Sequence, residues 1–223
     1  MIPDLEKLKE EQRRLAQEIV LRDDFDKIKL IAGVDCSYFS NNKKIVAAVI
    51  VCDFKTMNVV EKKYSVLDAN FPYISGFLSY RESPAIVDAF NKLNQKPDML
   101  LVDGNGILHP RKFGLASHLS LLLNIPSIGI SKSIMCGSVK AGKIYVENDM
   151  LGIQIKTKEN SNPLYISPGN RISIGTAFSI IEKSMKQPHK LPEPLHIAHR
   201  YADHIKDLQE KWENKDNIKV NSE

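Results

Sequence analysis

Apolar residues in the opening segment recur at helical spacing. Leu5, Leu8, Leu15 and Ile19, with the small Ala16, fall mainly on one face, and Glu, Lys and Arg lie opposite, which predicts an amphipathic helix. The period then shortens. Residues 29–38 (KLIAGVDCSY) and 44–54 (KIVAAVIVCDF) are rich in Val and Ile and flank the polar turn SNNK, the pattern of a hairpin of two long buried strands. A third strand is expected in 58–67, where alternation is weaker. Residues 68–82 are irregular, broken by Pro72 and Gly76. Ser83 followed by Pro84 reads as an N-cap and first turn, predicting a helix through about Leu93.

The second half changes character. DMLLVDGNG (98–106) is a short apolar strand ending in a glycine-rich turn, followed by a helix from about Phe113 to Leu123 and the strand PSIGISK (126–132). Strand, helix, strand at these lengths implies a crossover and parallel pairing. Further β structure is expected over 139–166, a helix capped by Ser173 to about Met185, and a final helix from about Pro194. The tail after Trp212 is polar and is expected to fray from about 213. The expected fold class is α/β in a single domain over 1–223: an antiparallel meander joined to parallel strands in one mixed sheet, with helices on its faces.

Composition narrows the class without naming a function. The chain of 223 residues is 43% hydrophobic and 26% charged, enough apolar material for a core without disulfides or a structural metal. The 31 basic and 27 acidic side chains leave +4, which permits a polyanionic partner without demanding one. Three cysteines, Cys36, Cys52 and Cys136, with no CxxC pair, suit a reducing compartment. The first residues lack a secretory apolar core, and no run approaches the ~18 apolar residues of a membrane span, so a cytoplasmic protein with no membrane partner is expected.

Three acids stand out by what surrounds them. Asp35 follows LIAGV, Asp103 follows MLLV, and Glu82 sits in SYRES before the expected helix. Singly, each has an ordinary structural use, capping a turn or complementing a helix N-terminus. Together, carboxylates converging on one sheet repel unless a cation neutralises them, and hard oxygen ligands suit Mg²⁺ or Mn²⁺ rather than zinc. Such a site leaves room for phosphate oxygens, as phosphoryl-transfer nucleases require. Lys132, closing the GISKS strand, is either solvated or a partner for phosphate. His196, His199 and His204 share the last helix.

The succession GVD (33–35), FPYISGFLSYRE (71–82), VDGNGILHPRKFGLASHL (102–119), IGISKS (128–133) and LPEP…AH (191–199) resembles the endonuclease V family, in order, from about Glu18 to Tyr201. The resemblance implies a ribonuclease H-like fold and a Mg²⁺-dependent DNA repair endonuclease, with Mn²⁺ as substitute. Its substrate would be DNA containing deoxyinosine, nicked at the second phosphodiester bond 3′ to the lesion to leave a 3′-hydroxyl and a 5′-phosphate. Carried over by motif, Asp35, Glu82 and Asp103 would bind metal and act in catalysis with Lys132, and His199 would help position a metal or water. The family wedge PYIP reads Pro72-Tyr73-Ile74-Ser75 here, with Ser in place of the last Pro; Tyr73 would offer a stacking surface when the base is everted. Gly76, Leu78, Gly104, Gly106 and Gly114 would wall the hypoxanthine pocket, and His109, Arg111 and Lys112 would lie near phosphates. Tyr80 stands where the family usually has Phe, and Ser120 where Gly is common. The expected protein is a monomer acting on DNA. Inosine in RNA, mismatches or uracil are further possible substrates, and a non-catalytic lesion-binding module is the alternative from another class.

Overall fold

The computed structural model describes residues 3–220, with side chains described through Glu213. Strands β1 (Leu30–Tyr38), β2 (Lys44–Asp53) and β3 (Val59–Asp68) form the antiparallel meander. Strands β4 (Met99–Asp103) and β5 (Ser127–Ser131) add to β1 in parallel, linked by helix α3 (Leu115–Leu123). The sheet continues through β9 (Leu164–Asn170), β8 (Asp149–Ile155), β7 (Lys143–Val146) and β6 (Ser138–Lys140). All nine strands share one mixed sheet, in the order β3-β2-β1-β4-β5-β9-β8-β7-β6. The remaining helices are α1 (Leu5–Ala16), α2 (Leu78–Asn91), α4 (Ile174–Lys183) and α5 (Glu193–Val220). Among the described residues no helix is long and apolar enough to cross a membrane.

The period-two alternation of the strands sorts the core into two layers. On β1 and β4, Ala32, Val34, Leu100 and Val102 pack with Ala85, Ile86 and Phe90 of α2 and Leu115 and Leu119 of α3. The intervening Ile31, Met99 and Leu101 pack with Ile180 and Ile181 of α4 and Leu195 and Ala198 of α5. Parity therefore puts Asp35 and Asp103 on the α5 side of the sheet. Helix α5 can reach β1 closely because position 33 is glycine: a Cβ there would lie 2.2 Å from the Pro194 carbonyl carbon.

Two boundaries differ from the sequence reading. Helix α2 begins at Leu78, not at Pro84 behind a Ser83 cap, so that proline lies inside it. The earlier start follows from tertiary packing: Tyr80 stacks on Phe71 (5.7 Å between ring centres) and its hydroxyl donates to Glu11 Oε2 of α1 at 2.7 Å. Ser83 caps nothing, and its hydroxyl is buried without a partner. Helix α5 runs on to Val220, taking in residues read as a polar tail, while 221–223 lie outside the described residues. Ser173, by contrast, is the N-cap of α4, accepting from Thr176 N–H at 3.3 Å. Ser120 uses its hydroxyl to reach the Ile125 carbonyl, closing the chain just past α3, where Asn124 is left-handed (φ 51°).

Candidate active site

Three chain-distant side chains meet where β1, β4 and α5 come together. Asp35, Asp103 and His199 each offer one ligand atom, and these atoms all lie within 4.8 Å of one another. His199 Nδ1 donates to Asp35 Oδ2 at 2.7 Å, and Asp35 Oδ1 accepts from the Cys36 N–H at 2.8 Å. Lys132, one residue past β5, places its ammonium 2.5 Å from Asp103 Oδ2. Asp203, four residues beyond His199 and so on the same helical face, backs the imidazole (Nε2 to Oδ2, 3.8 Å) and accepts from Ser37 at 2.7 Å.

Glu82 approaches from α2, on the opposite face, and is not one of the 4.8 Å group. Its Oε1 accepts from the Tyr38 hydroxyl at 2.8 Å. Burial pushes its pKa up to about 8, with Asp35 and Asp103 adding repulsion and Tyr38 and Arg81 opposing. Burial likewise raises Asp103, and Asp35 raises it further, against Lys132 and His199. The hydrogen bond to Asp35 raises His199 despite desolvation. Desolvation works against the Lys132 charge, yet Asp103 holds it above the ordinary lysine value. Burial, then Glu82, Asp35 and Asp103, keeps the Cys36 thiol protonated. Three carboxylates converge here, two of them nearly inaccessible to solvent (Asp35 8%, Glu82 7% exposed); without a cation, burial and repulsion favour a protonated Glu82, while Lys132 and His199 face the two aspartates. That oxygen-rich set fits a hard divalent cation, and no zinc-type Cys/His set exists among the described residues.

Beside this cluster lies a cavity of about 490 Å³. Asp103 and Gly104 contribute one wall, the loop from Tyr73 to Gly76 with Leu78 another, His109 and Gly114 a third, and Ile134 and Met135 close it. Tyr73 is 74% exposed, an aromatic ring open to stacking. Pro72 is exposed beside it, and Ile74 is partly buried.

Several expected residues have other placements. Gly106 does not line the cavity: a Cβ there would sit 2.0 Å from the Pro168 carbonyl oxygen, so the glycine serves close packing of the loop on β9. His109, 4% exposed, and Arg111, partly buried, both bond to the Gly76 backbone. His109 Nδ1 accepts from the Arg111 N–H at 3.2 Å, which leaves Nε2 to donate to the Gly76 carbonyl at 3.1 Å. Burial and then Arg111 lower the His109 pKa to about 4, so the ring is neutral. Arg111 donates to the same carbonyl at 2.7 Å and lies over the Phe77 ring at 4.6 Å. Lys112 pairs with Asp149 at 2.7 Å. Of the other two histidines on the last helix, His196 stacks on His189 (3.7 Å), outside the cluster.

Sequence reasoning missed Tyr38, Asp203, Gln12 and Asn105. Asn105 lines the cavity with an Oδ1 that has no partner. Asp203 was readable in principle from its spacing to His199; Tyr38 and Gln12 depend on contacts across 44 and 101 positions of chain.

The family model for endonuclease V matches residues 13–200. An endonuclease V of Dictyoglomus turgidum is 41% identical over 199 residues, 86% of each chain. The crystal structure of the endonuclease V from Bacillus subtilis superposes with TM-score 0.86 at 30% identity, covering 94% of this chain and 95% of that one. The Ciona intestinalis endonuclease V, solved with a 23-mer DNA containing an inosine followed by a ribo-adenosine, gives TM-score 0.84 at 27% identity over 92% and 99%. These structures share the ribonuclease H-like arrangement of a mixed sheet between helices.

Proposed function

The chain belongs to the endonuclease V family, a nuclease acting on DNA and hence a hydrolase, and on that footing we propose that it recognises deoxyinosine by base eversion and nicks the second phosphodiester bond on its 3′ side in a Mg²⁺-dependent reaction. The observation that carries this reading is the adjacency of the Asp35–Asp103–His199 group to a cavity that Asp103 itself helps line, with the exposed Tyr73 at its edge. A volume near 490 Å³ falls within the range of about 300–1,000 Å³ usual for small-molecule sites, ample for one base. The inosine-containing DNA bound by the Ciona relative supports the choice of lesion.

Each residue then has a defined part. Asp35 and Asp103 would hold the cation, with His199 as a third donor through a nitrogen free of its proton and Glu82 adding negative charge once a bound cation favours its ionised form. A bound Mg²⁺ or Mn²⁺ supplies charge neutralisation at the phosphate and a more acidic water. Lys132 stands beside Asp103 with a half-exposed ammonium able to donate to a phosphate oxygen. Asp203 and Asp35 orient the His199 ring between them. Tyr73 stacks in the space the everted base leaves, worth about 1–3 kcal/mol per base. Water attacks phosphorus in line with the departing 3′ oxygen, so the P–O3′ bond breaks and a 3′-hydroxyl and 5′-phosphate result. Three free thiols, Cys36, Cys52 and Cys136, support residence in a reducing compartment, and we read the protein as a cytoplasmic monomer.

The test is nicking of an end-labelled inosine-containing duplex with Mg²⁺, against EDTA and an Asp35→Ala control. Cleavage at the second bond that both controls abolish supports the reading. Release of free hypoxanthine, or cleavage that survives Asp35→Ala, defeats it. An inosine-containing RNA strand under the same conditions decides between DNA and RNA as the preferred polymer.

A further inference from the structure

We propose that Gln12, on the N-terminal helix, is a positioning residue for lesion recognition: by clamping the Gly76 carbonyl it sets the loop that presents Tyr73 to the strand. The inference rests on the proposed function and adds to it a residue far from the metal cluster.

Helix α1 is amphipathic, with Leu5, Leu8 and Leu15 partly buried, and Gln12 is its one fully buried residue, 1% exposed. Its Nε2 donates to the Gly76 carbonyl at 3.1 Å and reaches the Phe113 carbonyl at 3.5 Å. Its Oε1 accepts from Arg111 Nε at 2.5 Å. Arg111 and His109 donate to the same Gly76 oxygen, at 2.7 and 3.1 Å. One carbonyl with two lone pairs thus receives three donors, two from the 109–111 turn and one from α1. Gly76 closes the Tyr73 loop in a left-handed conformation (φ 81°), and a Cβ there would lie 2.7 Å from the Arg111 guanidinium. The loop end is therefore fixed by side chains that converge on its backbone. Tyr73, three residues earlier, has no such support of its own. Gln12 is the member of the clamp that also orients another: without its Oε1, Arg111 loses the acceptor that aligns the guanidinium on Gly76. Glu11, its neighbour, adds a second tie through Tyr80 at 2.7 Å. A consequence for recognition follows, since the Gly76 carbonyl is committed to protein donors and is not available to read a base.

Two substitutions test this. Gln12→Met keeps side-chain volume and removes every hydrogen bond; Gln12→Glu keeps the acceptor for Arg111 and loses the donation to Gly76. Hydrogen exchange of the intact protein reads the anchoring without substrate: Gln12→Met accelerates the amides of 73–77 about tenfold while those of β1 and β4 keep their wild-type rates. Cleavage reads the function. An inosine already in a single strand needs no wedge, so the duplex-to-single-strand ratio of kcat/KM falls about tenfold in Gln12→Met, and Gln12→Glu recovers part of it. A fold-level defect would lower both substrates together and leave the ratio alone. An unchanged ratio in Gln12→Met overturns the proposal, as does wild-type exchange over 73–77. If the wild type itself leaves inosine strands uncut, the functional reading fails, and the exchange data still decide whether Gln12 anchors the loop.

Discussion

Replacing Glu82 by glutamine changes how the metal-free protein responds to pH. An acid whose folded pKa lies above its unfolded value stabilises the fold at pH below the unfolded value, and that contribution is lost as pH rises through the folded one. For Glu82 the limits are the ordinary 4.5 and about 8, set first by burial and then by Asp35 and Asp103. Linkage over that interval is worth about 5 kcal/mol in full, of which about 3 kcal/mol is lost between pH 6 and pH 9. For a domain of this size that corresponds to a fall of about 6–12 °C in melting temperature. The assay is thermal unfolding in EDTA at pH 6, 7.5 and 9, for wild type and Glu82→Gln. Wild type is expected to melt progressively lower as pH rises, and the variant to lose most of that slope. Mg²⁺ favours the ionised carboxylates and should flatten the wild-type slope, so its stabilisation grows with pH. A Glu82→Gln protein with the wild-type slope, or a wild-type slope indifferent to Mg²⁺, would refute the reasoning that burial and mutual repulsion hold this acid protonated.

Three other expectations come from the same geometry. His109, buried and neutral with a pKa near 4, costs stability as pH falls from 6.5 toward 4, in total about 3 kcal/mol; urea unfolding at pH 7 and 4.5 should show the loss, and His109→Gln should abolish it. Gly33→Ala forces a methyl to within 2.2 Å of Pro194, so α5 must move off β1; overpacking of this kind costs about 1–3 kcal/mol, and Mg²⁺-dependent nicking should fall with the melting temperature as His199 leaves Asp35. Tyr73→Ala removes an exposed ring, so melting should stay at the wild-type value while affinity for an inosine-containing duplex drops by about 1–3 kcal/mol in fluorescence anisotropy.

The sheet was legible because strand parity is a local property. The runs LIAGVD and MLLVD predicted both strands and their acids, Asp103 closing β4 and Asp35 lying within β1, and the alternation that buries Ile31 and Leu101 against α5 also aims Asp35 and Asp103 at that layer. Ser83-Pro84 misled because capping preference is weak beside tertiary packing: Tyr80, tied to Phe71 and Glu11, extends the helix six residues upstream of the expected start. The motif resemblance drew attention to His109 and Arg111, but sequence cannot say whether a basic side chain faces solvent or a backbone carbonyl, and here both turn to Gly76. Gln12 was invisible for a related reason. A glutamine in a helix of charged residues looks like surface until a loop 64 positions away supplies the carbonyl that buries it.

Manganese-soaked crystals, examined by anomalous diffraction at the manganese edge, test most directly the idea that these distant carboxylates form one cation site. The expected map has manganese in contact with the Asp35 and Asp103 carboxylates, and Asp103→Asn weakens or removes that peak. Manganese bound elsewhere, with Asp35 and Asp103 retaining only His199 and Lys132 as partners at saturating metal, would contradict it.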